Sequence, residues 1–268
     1  MKTVRVLFLG DIVGDTGRAI FKKHIAQLRA SLGIDALIVN GENSAQGRGI
    51  TPAIVGFFKA QGVDVITSGN HIWQKREIYP YMAQNKDLLK PANFPSDTPG
   101  VGVTTFMCKG HEIAIINLQG RIFMRELVSC PFRAAESILT YLRHKTKLIF
   151  VDMHAEATSE KMGLAYFLDG KISGIVGTHT HVQTADERIL PGGTAYITDL
   201  GMAGSLNSMI GMKKESVIRH LLTQMPEQFV VDTAMPLVMT GAWIEVDTTT
   251  GLAVDIQRVK VVDGEVQI

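Results

Sequence analysis

Apolar runs recur along the chain at regular intervals, and the polar positions between them alternate between two periods. The stretch "VRVLFLG" (4–10) is almost unbroken apolar, the pattern of a strand buried on both faces. "TGRAIFKKHIAQLRASLG" (16–33) changes to helical spacing, with Ile20, His24 and Leu28 on one line and Ile25, Leu28 and Leu32 on another. Gly33 stands where a C-cap is needed. "DALIVNGEN" (35–43) reads as a second strand with its exit loop. "TPAIVGFFKAQG" (51–62) reads as a second helix, with Thr51 as N-cap and Pro52 in the first position. "VDVITSGNH" (63–71) is a third strand. This β-α-β-α-β order implies a parallel sheet with right-handed crossovers.

The middle of the chain changes character. "GVGVTTFMCKGHEIAIINLQG" (100–120) predicts a hairpin turning at "KGHE", and "CPFRAAESILTYLRHK" (130–145) a helix started by Pro131. "KLIFVDMHAEA" (147–157), "KISGIVGTHTH" (171–181) and "GTAYITDLG" (193–201) return to buried strands with polar exits. Residues 235–268 are β-rich, with "TTTG" (248–251) and "VDGE" (262–265) as turns. No repeat, low-complexity segment or linker interrupts the pattern. It predicts an α/β fold: a four-layer α-β-β-α sandwich of two packed mixed sheets with flanking helices, with residues 1–268 as a single domain.

In parallel α/β sheets, ligands bind outside the carboxyl ends of the strands. Polar residues follow five of the apolar runs: Gly10-Asp11, then Gly41-Glu42-Asn43, then Gly69-Asn70-His71, then His154, then His179 and His181. Of the 8 histidines, His71, His154, His179 and His181 thus sit at strand exits. His24 and His220 fall in helical patterns, His111 in a turn and His144 at a helix end, and these four are expected on the solvated surface. Imidazole and carboxylate together suit Zn, Fe, Mn or Ni, and no cysteine lies in these loops. Two divalent ions ~3.5–4 Å apart can clamp a phosphoryl group and activate a water between them. That arrangement needs a bridging carboxylate, for which Glu42 is the central acid, while Asn70 offers a neutral oxygen that keeps the site positive.

Composition narrows the partners. Lys plus Arg number 27 against 26 Asp plus Glu, so no global charge draws the chain to nucleic acid or an anionic membrane. An anionic substrate must be held locally. The 2 cysteines, Cys108 and Cys130, form no framework and fit a reducing cytoplasm. "MKTVRVLFLGDIVG" (1–14) is interrupted by Asp11 and reads as a first strand rather than a signal peptide. No apolar stretch approaches the ~20 residues of a membrane helix.

The pieces "GDIVG" (10–14), "NGENS" (40–44), "SGNHIW" (68–73), "VDMHAEA" (151–157) and "VGTHTHV" (176–182) resemble, in order, the motifs of the calcineurin-like metallophosphoesterases. Those motifs read GD-x-H, GD-x-x-D, GNH followed by an acid, His, and GH-x-H. With "TDLGMAG" (198–204), they are most similar to the YmdB-like branch of bacterial phosphodiesterases. The departures belong to that branch: Val13 replaces the first histidine, Glu42 the bridging Asp, Ile72 the acid after GNH, and Thr178 precedes the histidine pair.

The resemblance implies two divalent metal ions, Fe or Mn before Zn or Mg. Asp11, Glu42, Asn43 and His181 would bind the first, and Glu42, Asn70, His154 and His179 the second. His71 would be no ligand but the general acid for the leaving alkoxide, kept protonated by the neighbouring phosphate. The implied activity is hydrolysis of cyclic nucleotides, 2′,3′- and 3′,5′-cyclic AMP included, by in-line attack of a metal-bridged hydroxide on phosphorus. The partner is then a small phosphodiester, with no membrane and no extended nucleic-acid surface, and the chain is a candidate homo-oligomer, dimer or tetramer. A regulatory nucleotide- or metal-binding protein that keeps the scaffold is the competing reading. In an extended segment residues two apart point the same way, so His179 and His181 form a fork, one imidazole per ion, with Thr178 and Thr180 turned away.

Weaker features stay open. "TDLGMAGSLNSMIGMKKES" (198–216) is either a mobile surface loop or a flap over the site or oligomer contact. Asp15 is expected to cap the first helix; Arg121 and Arg125 either meet phosphate or lie on a solvated loop. Asp152 either orients a ligand histidine or ends a strand, and Trp73 either packs in the core or stacks on a base.

Overall fold

The computed structural model describes residues 2–263 and 265–267. The first apolar run forms β1 (Thr3–Ile12), and the helical segment after it α1 (Gly14–Leu32). Gly33 closes that helix in the left-handed conformation at φ 62°, as the sequence predicts. The N-cap differs. Val13 occupies it without a side-chain bond, and Asp15 instead sits in the first turn, paired with Arg18 at 2.6 Å. Then follow β2 (Ala36–Asn40), α2 (Pro52–Ala60), β3 (Val65–Thr67) and α3 (Ile78–Gln84). Thr51 Oγ1 caps α2 by accepting from Ile54 N–H at 3.3 Å, a bond worth about 1 kcal/mol.

The predicted hairpin is β4 (Val103–Cys108) and β5 (His111–Gln119), turning at Lys109-Gly110. After it come α4 (Pro131–Leu142), β6 (Leu148–His154), α5 (Thr158–Leu168), β7 (Gly174–Thr178), β8 (Arg188–Ile189) and β9 (Ala195–Ile197). The chain ends with β10 (Met202–Ser205), α6 (Lys214–Thr223), β11 (Leu237–Asp247), β12 (Ala253–Val262) and β13 (Glu265–Gln267). The "TTTG" turn joins β11 to β12, whereas the glycine of "VDGE" lies outside the described residues.

The strands form two mixed sheets, one ordered β13-β12-β11-β10-β1-β2-β3 and the other β4-β5-β6-β7-β9-β8. Three apolar clusters separate four layers. Leu7, Leu9 and Leu37 face Phe21, Ile25 and Phe58 of α1 and α2. Val6, Phe8 and Ile38 meet Ile115, Phe150 and Val176 between the sheets. Ile116, Val151 and Ile175 face Leu139 and Leu164 of α4 and α5. This is the α-β-β-α sandwich the alternation predicts. Trp73 packs against the first cluster and edge-on to Phe94, the core use of the two read from sequence.

The first sheet splits where β1 ends. β11 runs antiparallel to β1 through Leu9↔Gly241, and beyond that point β10 lies between them, parallel to β1 and antiparallel to β11. A register shift between Leu9 and Asp11 marks the split, as a bulge that re-aims the Asp11 carboxylate. Gly10 permits it, since a Cβ there would stand 2.1 Å from Gly201 O. So the 198–216 segment is neither wholly loop nor wholly flap: residues 202–205 are a buried strand, and only 206–213 connect over the surface. His24 also departs from expectation. It is buried at 7% exposure, its Nε2 without a partner, and burial lowers its pKa.

Candidate metal centre

The carboxyl ends of β1, β2, β3, β6 and β7 deliver their exit residues to one place. Glu42 Oε1 lies 3.0 Å from His154 Nε2, and Glu42 Oε2 accepts the His71 backbone N–H at 2.9 Å. Asn70 Oδ1 and His179 Nδ1 lie 3.2 and 3.1 Å from the same His154 Nε2. Glu42, His154 and His179 present ligand atoms within 4.8 Å of one another. His181 Nε2 faces Asp11 Oδ1 at 3.8 Å. The four residues expected around the second ion are therefore together, and Asp11 with His181 forms a separate pair.

Where each imidazole sends its proton decides what this cluster can hold. A neutral imidazole carries one proton, and a carbonyl or carboxylate only accepts, so the tautomer follows from which nitrogen's partner must be given that proton. His181 Nδ1 donates to Ile210 O at 2.8 Å, which leaves Nε2 bare toward Asp11. His179 Nε2 faces the Glu156 carboxylate at 3.2 Å, which leaves Nδ1 bare toward His154. Thr178 donates its hydroxyl to Asp152 Oδ1 at 2.7 Å and so accepts from His154 Nδ1 at 2.9 Å; burial lowers the His154 pKa to about 4, so the neutral ring's one proton is on Nδ1 and Nε2 is bare toward Glu42 and Asn70. Three imidazoles thus turn their protons outward and their lone pairs inward. Asp11 Oδ1 and Asn43 Oδ1 are buried with no hydrogen-bond partner at all. Lone pairs facing lone pairs at about 3 Å repel unless a cation sits between them, so this donor set fits divalent ions.

Electrostatics agree. Burial lowers His154 to about 4 and His179 to about 3, holding both rings neutral at neutral pH. Burial also raises the Asp11 carboxyl, with His181 the largest opposing influence. Burial lifts Asp152 to about 7, against the hydroxyls of Thr67 and Thr178 that stabilise its charge. His71 differs from the other three: burial lowers its pKa, and its Nδ1 is buried without a partner. No outward bond fixes its tautomer.

Two local expectations need correction. Thr178 does not turn away, because its hydroxyl links Asp152 to His154. Asp152 therefore reaches the histidine only through Thr178. Nor is 179–181 extended: β7 stops at Thr178, and His179 and His181 adopt φ of 103° and 64°. Positive φ at a non-glycine residue is costly and persists where surroundings hold it. Here the hold is a buried ion pair invisible in the sequence pattern. Lys161 Nζ meets Asp199 Oδ2 at 2.7 Å, both side chains 1% exposed, and the same oxygen accepts Thr180 N–H at 3.1 Å. The peptide between the two histidines is pinned from below. Gly69 supplies space rather than conformation, since a Cβ there would stand 2.0 Å from the His154 ring.

A cavity of about 330 Å³ opens over the cluster, lined by His71, Arg48, Glu156, Met212 and Phe229 among others. Arg48 was missed in the sequence; it is exposed at the mouth, and its only sequence signal is the glycine on each side. Arg121 and Arg125 do not line this cavity. Their loop is exposed, tied down by Glu160 accepting Arg121 N–H at 2.9 Å.

Thr178→Val keeps the shape and removes the link that sets the His154 tautomer. Metal affinity, read by chelator competition on folded protein, is expected to fall on the order of 10- to 100-fold. Unchanged affinity would show that the Thr178 bond does not set the ring.

A family profile described as YmdB-like protein matches residues 7–259. A 2′,3′-cyclic-nucleotide 2′-phosphodiesterase of Bacillus subtilis (strain 168) is 44% identical over 260 residues, 97% of this chain and 98% of that protein. A phosphatase from Mycoplasma pneumoniae of known structure shares 35% identity with a TM-score of 0.92, over 98% of this chain and 94% of that one. A hypothetical protein from Thermus thermophilus shares 35% identity with a TM-score of 0.90, over 97% of this chain and 99% of that one. With a profile and a relative that both run nearly end to end, the chain belongs to the YmdB-like protein family.

Proposed function

We propose that this protein is a two-metal phosphodiesterase that opens 2′,3′-cyclic nucleotides and also hydrolyses 3′,5′-cyclic AMP. The observation that carries the reading is the inward set of bare nitrogens on His154, His179 and His181, joined by the unpartnered oxygens of Asp11 and Asn43. Asp11, Glu42, Asn43 and His181 would hold one divalent ion and Glu42, Asn70, His154 and His179 the other, Fe or Mn before Zn or Mg. Such ions supply positive charge for the phosphoryl oxygens and acidify the attacking water.

The chain's own groups do the rest. Arg48 at the cavity mouth faces the phosphate as a charged donor. Phe229 and Met212 give the base an apolar wall. His71 stands in the same cavity, its backbone N–H fixed on Glu42. Burial lowers the His71 pKa, and the bound phosphate anion opposes that by favouring the charged ring; when hydroxide adds to phosphorus and the P–O2′ bond breaks, that ring gives its proton to O2′, leaving a 3′-monophosphate. The name of the Bacillus subtilis relative supports this substrate class. No helix among the described residues is long and apolar enough to cross a membrane. The proposal includes a cytoplasmic location, where the free thiols of Cys108 and Cys130 stay reduced. Leu221, Leu222 and Met225 stand exposed at and just beyond the end of α6, and the proposal includes their use between copies in a dimer or tetramer.

The test is hydrolysis of bis-p-nitrophenyl phosphate and 2′,3′-cyclic AMP by metal-stripped protein, before and after Mn²⁺ or Fe²⁺ is restored. Turnover is expected only with metal. Metal-loaded protein that hydrolyses neither would leave the regulatory, non-catalytic reading standing.

A further inference from the structure

A second and larger cavity, about 530 Å³, adjoins the metal centre, and His181 and Ile210 line both. Its floor comes from the first sheet: Val238 and Thr240 of β11, Arg258 and Lys260 of β12. In a strand, residues two apart share a face. These positions therefore continue the face whose Ala242 and Ile256 pack between the sheets. Beyond that core the same face floors the cavity, with Val238 and Thr240 buried and Arg258 and Lys260 partly exposed. Thr240 pairs with Lys260 across the two strands, and Arg258 stands two residues away on the same side. Arg258 Nε is held by Glu187 at 2.7 Å, which fixes the guanidinium in place. Met202, Val238 and Met209 supply an apolar wall, and among the described residues no carboxylate lines the cavity.

Two cations on one face beside an apolar wall suit an anion carried by an organic body. The neighbouring centre already takes one phosphate in the function proposed above, on which this inference rests. An anion held here would then be a second anionic group of the same substrate. In a nucleoside 2′,3′-cyclic phosphate, the 5′ carbon lies on the side of the ribose opposite the cyclic diester. A substrate with its cyclic phosphate at the metal centre points that carbon away from the reacting phosphorus. We propose that this cavity is a subsite for a 5′-phosphate, with Lys260 and Arg258 as its cationic contacts, so that the preferred substrates are 2′,3′-cyclic nucleotides phosphorylated at O5′. The phosphate is either a terminal monoester or the diester joining a preceding nucleotide at an RNA 3′ end.

Steady-state kinetics of the Mn²⁺-loaded protein test this with three substrates: adenosine 2′,3′-cyclic phosphate, its 5′-phosphorylated form, and the dinucleotide ApA ending in a 2′,3′-cyclic phosphate. At least one of the two 5′-phosphorylated substrates is expected to lead in kcat/KM by about tenfold, and which one leads identifies the source of the phosphate. Lys260→Gln, alone and with Arg258→Gln, is expected to erase that lead through KM while leaving the unphosphorylated substrate unchanged. Equal kcat/KM for all three substrates would overturn the subsite, and so would a loss in the variants shared equally by all three. Absence of turnover on all three would instead strike the phosphodiesterase reading, and the subsite with it.

Discussion

Glu42→Gln is expected to lower phosphodiester hydrolysis by roughly 10³-fold and to strip metal from both positions, with the fold unchanged. The two side chains have the same shape, so the 1% exposed site is neither emptied nor overfilled. Their hydrogen-bonding differs. Glu42 Oε2 accepts the His71 N–H, and a glutamine must keep an oxygen there, because an amide NH₂ would face another donor. Its NH₂ is then left 3.0 Å from the bare His154 Nε2, where it donates. An N–H···N bond occupies the lone pair that would have faced a cation, and the charge that the proposed two-metal arrangement shares between its positions is gone. The Lewis acidity lost is worth several kcal/mol, and each 1.36 kcal/mol is a factor of ten. Elemental analysis, turnover and thermal unfolding check the three parts separately. Full metal content with undiminished turnover would take Glu42 out of the centre.

The layers of the fold were legible because burial writes period and length into a strand or helix directly. "VRVLFLG" and "KLIFVDM" are apolar on both faces because each lies between two packed layers. The convergence of Asp11, Glu42, Asn70, His154, His179 and His181 was legible for a related reason: parallel strands share one carboxyl edge, so exits far apart in sequence are neighbours in space. What the sequence concealed depends on contacts rather than period. Lys161 sits on α5, where a lysine reads as a solvated side chain, yet it is paired inside with Asp199. His24 reads as surface from its helix, but its line runs under the sheet beside Ile20 and Leu28. The turn at His179-Thr180-His181 could not be read from the spacing of two histidines. Spacing says that two side chains face together only if the backbone is extended, and here it is not.

That turn shows how the centre is held. A strand continuing past Thr178 would have carried its side chains to alternate faces of the sheet. The positive φ values instead fold the segment back over the strand end, and Asp199 holds the fold by accepting Thr180 N–H. Asp199 also accepts Gly201 N–H at 2.8 Å, just before β10 enters the split between β1 and β11. One buried carboxylate thus ties the histidine turn to the strand that widens the first sheet. Ile210 O, in the connection after that strand, then accepts the hydrogen bond from His181 Nδ1–H. The split sheet and the histidine tautomer are parts of one arrangement.

His71→Ala separates chemistry from metal binding. The contact that holds residue 71 on Glu42 is a backbone one, so alanine retains it and removes only the ring. That ring makes no outward bond comparable to those of His154, His179 and His181, and its Nδ1 is left unpartnered in the cavity wall. The variant is therefore expected to bind metal as the parent does and to lose about 10²- to 10⁴-fold in turnover of 2′,3′-cyclic AMP, the range of a missing general acid. The leaving group supplies a further test. A ribose alkoxide is a poor leaving group that needs a proton as the P–O bond breaks, whereas p-nitrophenolate departs as a stable anion. The deficit on bis-p-nitrophenyl phosphate is accordingly expected to be much smaller than on the cyclic nucleotide. Equal losses on both substrates would assign His71 to stabilising the phosphoryl oxygen rather than to proton delivery. Loss of metal would place it among the ligands.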